Sequence, residues 1–202
     1  EDNDPLDDNS HGTHVAGIAA AVGNNGIGMA GAVWDAKIMS IKVFQSSGRG
    51  NVADIARGID YAVNNGARII NMSFGTYATS STLKRALEDA YISTILVAAA
   101  GNDGIPIGPC NVCYPSYPAA YTFVLGVEDS PKPPLGYTNF DQDGPVFSRY
   151  RDLLNYETTA PGTAIMSAIP GGGYRAYTGT SMGTPLLAGA MALFEELKPG
   201  TS

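Results

Sequence analysis

The sequence predicts a three-layer α/β fold, with a mostly parallel central sheet and helices on both of its faces. Strand-like and helix-like patterns alternate along most of the 202 residues. The strand-like segments are almost wholly apolar, which is typical of parallel strands buried on both faces. The chain also has 44% hydrophobic residues, 25 glycines and 13 prolines, a composition that favours a compact, loop-rich domain over a disordered chain.

Four segments have the apolar spacing of helices. The predicted helices cover residues 11–22, 53–65, 80–92 and 181–197. The first is rich in alanine, and the second and third each carry an apolar stripe at three- and four-residue intervals. Gly66 follows the second helix as a C-cap. These helices are long enough to cover a sheet of the predicted size.

The segments between the helices have the composition of strands. The predicted strands cover residues 37–44, 68–73, 94–100 and 121–127, with several short strands over 137–178 and turns at Asp143-Gly144 and Gly171-Gly172-Gly173. Parallel sheets bind ligands at the carboxyl ends of their strands. The candidate site is therefore formed by the segments that follow two neighbouring strands, Ser73-Phe74-Gly75 and Gly101-Asn102-Asp103-Gly104.

Charge and hydropathy exclude several functional classes. The net charge is −7, and five acidic residues lie within the first eight positions. The basic residues are scattered, so no stripe suits a nucleic acid or an anionic membrane. The longest apolar run, Ile95 to Ala100, is six residues, far below the roughly 20 of a membrane span. Residues 1–10 do not have the pattern of a signal peptide.

Three short motifs carry polar groups suited to acyl transfer. The segment Ser10–Gly17 contains both histidines of the chain, His11 and His14. Asn102 follows directly on a buried predicted strand. Ser181 begins an apolar helix, where unpaired N–H groups and the helix dipole favour negative charge near its oxygen. Ser181 alone is most often an N-cap, but the three motifs together supply a nucleophile, a base and an oxyanion donor.

The segments SHGTHVAG, NMSFG, AAAGN and GTSMGTP occur in the order and approximate spacing of the subtilisin-like serine proteases, the subtilases. The chain resembles that family over nearly all of residues 7–198. The resemblance implies a serine endopeptidase that works through an acyl-enzyme and needs no cofactor for catalysis. By the same resemblance, His11 is the general base, Ser181 the nucleophile, and Asn102 the oxyanion donor beside the Ser181 N–H.

The resemblance also implies where a substrate binds. An extended peptide would add as a strand between two edges of the cleft. The implied substrate-binding residues are Gly48, Arg49, Gly50, Ser73, Phe74, Gly75, Ala99, Ala100 and Gly101. Phe74 indicates an apolar lining and hence a broad preference for apolar or aromatic side chains. The expected partners are protein or peptide substrates, and the expected location is outside the cell or at its surface.

The N-terminal residues depart from the family pattern. The catalytic aspartate of the family lies on a strand well before the histidine motif, but only ten residues precede His11. The acidic residues among them, including Asp7 and Asp8, are predicted to lie on a loop. We therefore expect residues 1–202 to be a single, truncated subtilase catalytic domain whose triad aspartate lies upstream.

A calcium site is a further expectation of the resemblance. Residues 23–29 (GNNGIGM) resemble a family loop that binds Ca²⁺ through an asparagine side chain and backbone carbonyls. The implied ligands are Asn25 with the carbonyls of Gly23, Ile27 and Met29. The alternative is a Gly/Asn-rich turn that binds no metal.

The histidines and cysteines allow a different class of site. His11 and His14 with Cys110 and Cys113 would offer Cys₂His₂ ligands to zinc, although their separation fits a zinc finger poorly. The two cysteines would otherwise form a small disulfide loop or stay as thiols.

The same motifs allow two functions other than that of a peptidase. A nucleophile elbow of the α/β-hydrolase type at Gly179-x-Ser181-x-Gly183 requires a histidine after the serine, and none follows. A catalytically inactive subtilase-like domain with a binding or structural role stays open, because it explains the missing aspartate.

Overall fold

The computed structural model describes residues 4–107, 114–130, 136–141, 156 and 158–197. Their helices are α1 (His11–Ala20), α2 (Val52–Asn64), α3 (Ser81–Tyr91) and α4 (Thr180–Leu197). Their strands are β1 (Ile69–Met72), β2 (Ile95–Ala99), β3 (Pro106–Ile107), β4 (Leu125–Ser130), β5 (Phe140–Asp141), β6 (Thr158–Pro161), β7 (Ile165–Ile169) and β8 (Gly173–Tyr177). A four-stranded parallel sheet has the order β1-β2-β4-β6, which confirms the predicted α/β class.

Helices cover both faces of this sheet. Successive residues of β2 point to opposite faces, and the buried Leu96 and Val97 accordingly belong to two different cores. The Leu96 core lies under α2 and α3, which pack against each other. The Val97 core lies under α4, which contacts all four strands. α1 packs beside α4, so the helices that carry the predicted base and nucleophile are neighbours.

The helix ends follow from local hydrogen bonding. The Asn51 side chain accepts from the Asp54 N–H at 2.9 Å to begin α2, and Ser80 Oγ accepts from the Leu83 N–H at 3.2 Å to begin α3. Gly66 has φ 79° just after α2, a conformation that glycine adopts without strain. No helix in the described ranges is long and apolar enough to cross a bilayer.

β7 and β8 form an antiparallel hairpin that leads into α4. Its turn contains Gly171 and Gly172 at φ 87° and 86°, values that suit a tight hairpin turn. The hairpin is fixed to α1 because the Ser167 hydroxyl donates to the His14 carbonyl at 2.7 Å, and a Cβ on Gly17 would lie 2.4 Å from the same hydroxyl oxygen. The hairpin therefore couples α1 to the start of α4.

The strand predicted over 37–44 is wrong. None of these residues belongs to a strand ladder in the described structure, and Ile38 is exposed. Val43 and Phe44 instead pack against the core under α2, where Val43 lies against Gly58. The apolar composition reflects this packing, whereas a strand also needs a neighbouring chain to pair its backbone groups.

The strand predicted over 121–127 is displaced, because β4 begins four residues later. The preceding residues form turns, in which the Val124 N–H donates to the Tyr121 carbonyl at 2.9 Å. β4 then continues through the buried carboxylate of Asp129. The Thr163 hydroxyl donates to that carboxylate at 2.6 Å. Because this hydrogen bond satisfies the buried oxygen, β4 can contain an acidic residue, which a search for apolar runs would exclude from a strand.

Two sets of predictions lie outside the described residues. One is the pair Cys110 and Cys113, with its zinc, disulfide and thiol alternatives. The other is the turn at Asp143-Gly144.

Candidate active site

A cleft of about 900 Å³ lies beside the carboxyl ends of β1 and β2 and brings the three predicted catalytic side chains together. His11, Asn102 and Ser181 all line this cleft. Five of the predicted substrate-binding residues line it as well: Gly48, Ser73, Phe74, Gly75 and Gly101. The location agrees with the rule that parallel sheets bind ligands at the carboxyl ends of their strands.

Ser181 lies in the first turn of α4 and is tied to the segment after β1. Pro185, four residues on, has no N–H, so the Ser181 carbonyl loses its helical partner. The Ser73 hydroxyl donates to that carbonyl at 2.9 Å, and the Ser181 hydroxyl donates to the Ser73 carbonyl at 3.1 Å. The Ser181 N–H belongs to a first turn whose donors the helix cannot satisfy itself. The hydroxyl oxygen is therefore held at the cleft wall beside backbone donors.

Asn102 is held in the cleft by Thr180, the residue before the serine. Its Oδ1 accepts from the Thr180 N–H at 2.8 Å and from the Thr180 hydroxyl at 3.1 Å. Thr180 is fully buried, and its Oγ1 also accepts from the Gly101 N–H at 3.1 Å. Because both bonds to Asn102 use the side-chain oxygen, its Nδ2 protons are left for an acceptor in the cleft. A side-chain amide in this position can stabilise an oxyanion by donating a hydrogen bond to it.

His11 is the first residue of α1 and is half-buried at the cleft. Burial lowers the pKa of its imidazole, the charge of Asp7 raises it and His14 lowers it, so that the pKa lies below the ordinary 6.5. A neutral ring is the form that a general base needs. The Ser181 hydroxyl donates to the Ser73 carbonyl in this structure, so a base in the cleft could receive its proton only after the hydroxyl rotates.

Asp7 is a site residue for which the sequence analysis predicted no role beyond a loop. Its carboxylate accepts from the N–H groups of Asn9, Ser10 and Thr13 at 2.9, 2.8 and 2.7 Å, and from the Thr13 hydroxyl at 2.6 Å. Burial raises the pKa of Asp7, but these hydrogen bonds outweigh burial and leave the pKa below 3.8. An acidic residue just before a helix was the available signal. Asp7 therefore caps α1 and orders the loop that leads into His11.

Four predicted substrate-binding residues do not line the cleft. Ala99 and Ala100 are buried behind its surface. Arg49 closes a turn by accepting from the Gln45 N–H at 2.9 Å, and Gly50 lies against the Phe44 ring. These residues flank or support the lining residues.

Two aromatic rings and one serine hydroxyl lie at the wall of the cleft. The Phe74 ring meets Phe44 edge to face at 5.0 Å, and both residues line the cleft. Ser116, which sequence analysis did not single out, also lines it. A Cβ on Gly75 would lie 2.5 Å from the Ser116 oxygen, so only glycine leaves room for this hydroxyl.

His14 is a buried structural residue. Its Nε2 lies 2.9 Å from the Arg175 carbonyl oxygen, and its ring stacks on Tyr177 with centroids 4.3 Å apart. The Nε2 atom therefore donates to a carbonyl and is not available to a metal. Within the described ranges, no three His, Cys, Asp or Glu side chains cluster as metal ligands. A zinc site would therefore have to use His14 Nδ1, which is buried without a hydrogen-bond partner in the described structure.

The loop predicted to hold calcium consists of turns. Asn24, Gly26 and Gly28 have φ values of 55°, 71° and 60°, and Asn25 Oδ1 accepts from the Ile27 N–H at 3.0 Å. The loop offers a cation only neutral oxygens, one of which is already engaged, whereas calcium sites are rich in carboxylates. By themselves these residues supply no negative charge to a calcium ion, so a complete site would also need a carboxylate from elsewhere.

A half-buried imidazole, a hydroxyl at a helix start and a side-chain amide in one cleft are the groups that serine hydrolases use for acyl transfer. Comparison with known families gives the particular class. The model of the subtilase family matches residues 1–202. The chain belongs to the subtilase family.

Individual relatives agree with this assignment. The chain is 40% identical to subtilisin Savinase of Lederbergia lenta over 197 residues, which cover 97% of this chain and 66% of that protein. It is 40% identical to subtilisin E of Bacillus subtilis (strain 168) over 200 residues, which cover 98% of this chain and 49% of that protein. The chain thus spans about half to two thirds of the length of these relatives.

Solved structures show the same fold. The prenylagaramide maturation protease PagA superposes with a TM-score of 0.77 at 30% identity, over 94% of this chain and 65% of that chain. Sphericase superposes with a TM-score of 0.76 at 30% identity, over 98% of this chain and 66% of that chain.

Proposed function

We propose that this subtilase hydrolyses peptide bonds as a serine endopeptidase. The observation that carries the proposal is the meeting of His11, Asn102 and Ser181 in one cleft. His11 takes the Ser181 proton as the serine oxygen attacks the scissile carbonyl, and it then gives that proton to the leaving amine. Asn102 Nδ2 and the Ser181 N–H donate to the oxyanion. Water, activated by His11, then hydrolyses the acyl-enzyme.

The proposed substrate is an extended peptide with apolar side chains. Ser73 to Gly75 and Gly48 line the cleft as two segments of backbone, between which a peptide would lie as an added strand. The rings of Phe44 and Phe74 support a broad preference for apolar or aromatic residues. Digestion of a peptide library tests this preference, and cleavage confined to basic residues would contradict it.

The proposed acid partner of His11 is an aspartate on a strand that docks beside β1. β1 is an edge of the main sheet among the described residues, so one row of its backbone groups faces no strand. Residues 41–44, Asn71 and Ser73 all line the cleft. Asn71 Oδ1 is buried without a hydrogen-bond partner in the described structure. A strand added at this edge would pair with β1, and an aspartate on it would orient the imidazole.

A catalytically inactive subtilase-like domain is the competing proposal. The observation that favours it concerns Asp7, the carboxylate whose charge acts on His11. This carboxylate is committed to the Thr13 N–H and hydroxyl, and none of its hydrogen bonds in the described structure reaches the His11 ring. In this second proposal the cleft binds a peptide without cleaving it.

A fluorophosphonate probe separates the two proposals, because it reacts only with an activated serine. We expect the full-length natural protein to be labelled, Ser181→Ala to abolish labelling, and His11→Ala to weaken it strongly. Ser81→Ala, on an exposed helix start, is the control that should label normally.

Asn102→Ala should lower kcat by about 10²–10³-fold. No labelling of the full-length protein would support the inactive domain.

The location outside the cell or at its surface is proposed on the family resemblance. Fractionation of the producing cells tests it, and recovery of the protein only from the cytosol would contradict it.

A further inference from the structure

Asn139 is a fully buried amide that lies behind the loop after β2. Its Nδ2 donates to the Ala100 carbonyl and to the Tyr77 hydroxyl, each at 2.9 Å. Its Oδ1 accepts from the N–H groups of Asp103 and Ile105 at 3.1 and 2.9 Å. All the hydrogen-bonding positions of this side chain are therefore used, and a fully satisfied buried polar group rigidifies its surroundings.

These hydrogen bonds bracket Asn102 in the chain. Asn139 holds Ala100 on one side and Asp103 on the other, and the Asn139 N–H also donates to the Gly101 carbonyl at 2.9 Å. Gly101 has φ 107°, and a Cβ there would lie 2.4 Å from Asn139 Nδ2. Asn102 is thus held from two directions, because Asn139 fixes the backbone on both sides of it and Thr180 fixes its side-chain oxygen.

Tyr77 connects the same amide to the segment after β1. Its hydroxyl accepts from Asn139 Nδ2 and donates to the Asp103 carboxylate. Burial raises the pKa of Tyr77, the bond from Asn139 lowers it and Asp103 raises it, with a net rise, so the hydroxyl keeps its proton. Tyr77 and Asp103 both line the cleft. One buried side chain therefore ties together the two loops on which substrate edge and oxyanion donor lie.

We propose that Asn139 is a positioning residue for the oxyanion donor, acting on catalysis through Asn102. The inference rests on the proposed peptidase function. The substrate edge is also held without Asn139, because Ser73 is bonded to Ser181 and Thr76 to Tyr117, so ground-state binding changes little. The amide of Asn102 is then misplaced relative to the oxyanion of the transition state, and a misplacement of about 1 Å can lower the rate by 10²-fold. The expected signature is a lower kcat at nearly constant KM.

A double-mutant cycle in the full-length natural protein tests this inference. Asn139→Ala removes the amide, and the isosteric Asn139→Asp keeps acceptors for Asp103 and Ile105 while losing the donors to Ala100 and Tyr77. Each is made alone and together with Asn102→Ala. We expect kcat to fall about 10- to 100-fold with Asn102 present and to change far less in its absence. A purely structural role gives the same fold loss in both backgrounds.

Thr138→Val is the matched control in the same segment. Thr138 is fully buried, and its hydroxyl accepts from the Asp129 N–H at 3.1 Å and donates to the Asn139 carbonyl at 3.0 Å. Neither bond reaches the loop after β2. We expect this variant to unfold at a lower temperature and to keep its kcat.

Three results would overturn the inference: wild-type kcat in both Asn139 variants, equal fold losses in the two Asn102 backgrounds, or failure of both variants to fold. Either of the first two, found with an active wild type, overturns the inference alone. An inactive wild type overturns the proposed function and this inference with it.

Discussion

Ser10 is a strained residue directly before the proposed base. It has φ 79° and ψ −16°, the left-handed region that costs an ordinary residue roughly 1–2 kcal/mol. Its side chain makes no capping bond to α1, whereas its N–H donates to Asp7 at 2.8 Å. The surrounding hydrogen bonds therefore impose the conformation, as is common where backbone strain persists at a site.

Replacing Ser10 tests this strain. Ser10→Gly should raise the free energy of unfolding by up to about 1 kcal/mol, because relief of the left-handed strain exceeds the entropy cost of glycine. Ser10→Val should lower it, since β-branched residues avoid this region. Thermal unfolding in the Ser181→Ala background, which prevents self-digestion, measures both changes. A lower stability of Ser10→Gly than of wild type would contradict the assignment.

Asp7 acts on His11 through its charge. Asp7→Asn keeps a side chain that caps helices well but removes the negative charge that raises the His11 pKa. The pKa of His11 should therefore fall further, and the neutral base should persist to lower pH. The acid limb of the pH profile of kcat/KM should move to lower pH. An acid limb at the same pH or at higher pH would show that the charge of Asp7 does not act on His11.

The same carboxylate predicts an acid dependence of stability. The folded pKa of Asp7 is below 3.8, whereas the unfolded value is about 3.9. Its contribution to stability is therefore full above about pH 4 and is lost as the pH falls through the folded pKa. Urea unfolding between pH 2 and 6 should show a smaller acid loss in Asp7→Asn than in wild type. An equal loss of stability in both proteins would show that groups other than Asp7 cause the acid dependence.

At the scale of elements, helices were easier to predict than strands. A helix satisfies its own backbone, so the stripe that contains Leu83 and Leu87, together with the cap at Ser80, is sufficient to define α3. A strand depends on a neighbour, and residues 37–44 have the composition of a strand without such a partner in the described structure. Local pattern therefore predicted burial correctly for Val43 but not its hydrogen bonding.

The cap of α3 provides a prediction at this scale. Ser80→Ala should lower the free energy of unfolding by about 1 kcal/mol, because the Leu83 N–H loses its acceptor. Ser81→Ala, one residue further on, should change it little, since Ser81 makes no capping bond and is exposed. Urea denaturation at neutral pH compares the two. Equal effects would show that the Ser80 hydroxyl does not cap the helix.

At the scale of the molecule, α4 is joined to the edge of the sheet by one ion pair. Arg68, just before β1, donates to Glu195 near the end of α4. Glu195 is buried while most of the Arg68 side chain is exposed. The pair therefore neutralises the one acidic side chain that α4 buries in the described structure, and it holds the distal end of the helix that carries Ser181.

Removing one partner of this ion pair should destabilise the protein more than replacing both partners. Arg68→Met leaves Glu195 buried without its partner and should lower the free energy of unfolding by about 1–3 kcal/mol. Adding Glu195→Leu should recover most of that loss. Lys84→Met, which breaks the exposed pair with Glu88 at 3.5 Å, should cost under about 0.5 kcal/mol. An additive loss in the double variant would contradict this account.

The sequence by itself determined the α/β class, the helices, and the identity of the groups in the cleft. These follow from local spacing and from side-chain chemistry, which are properties of neighbouring residues. Only the tertiary structure decided what Asp7, Ser116 and Asn139 contact. Their contacts depend on where loops of distant sequence meet, such as Asn139 and Ala100. It also decided that residues 37–44 pair with no strand among the described residues, because strand pairing is a property of two segments and not of one.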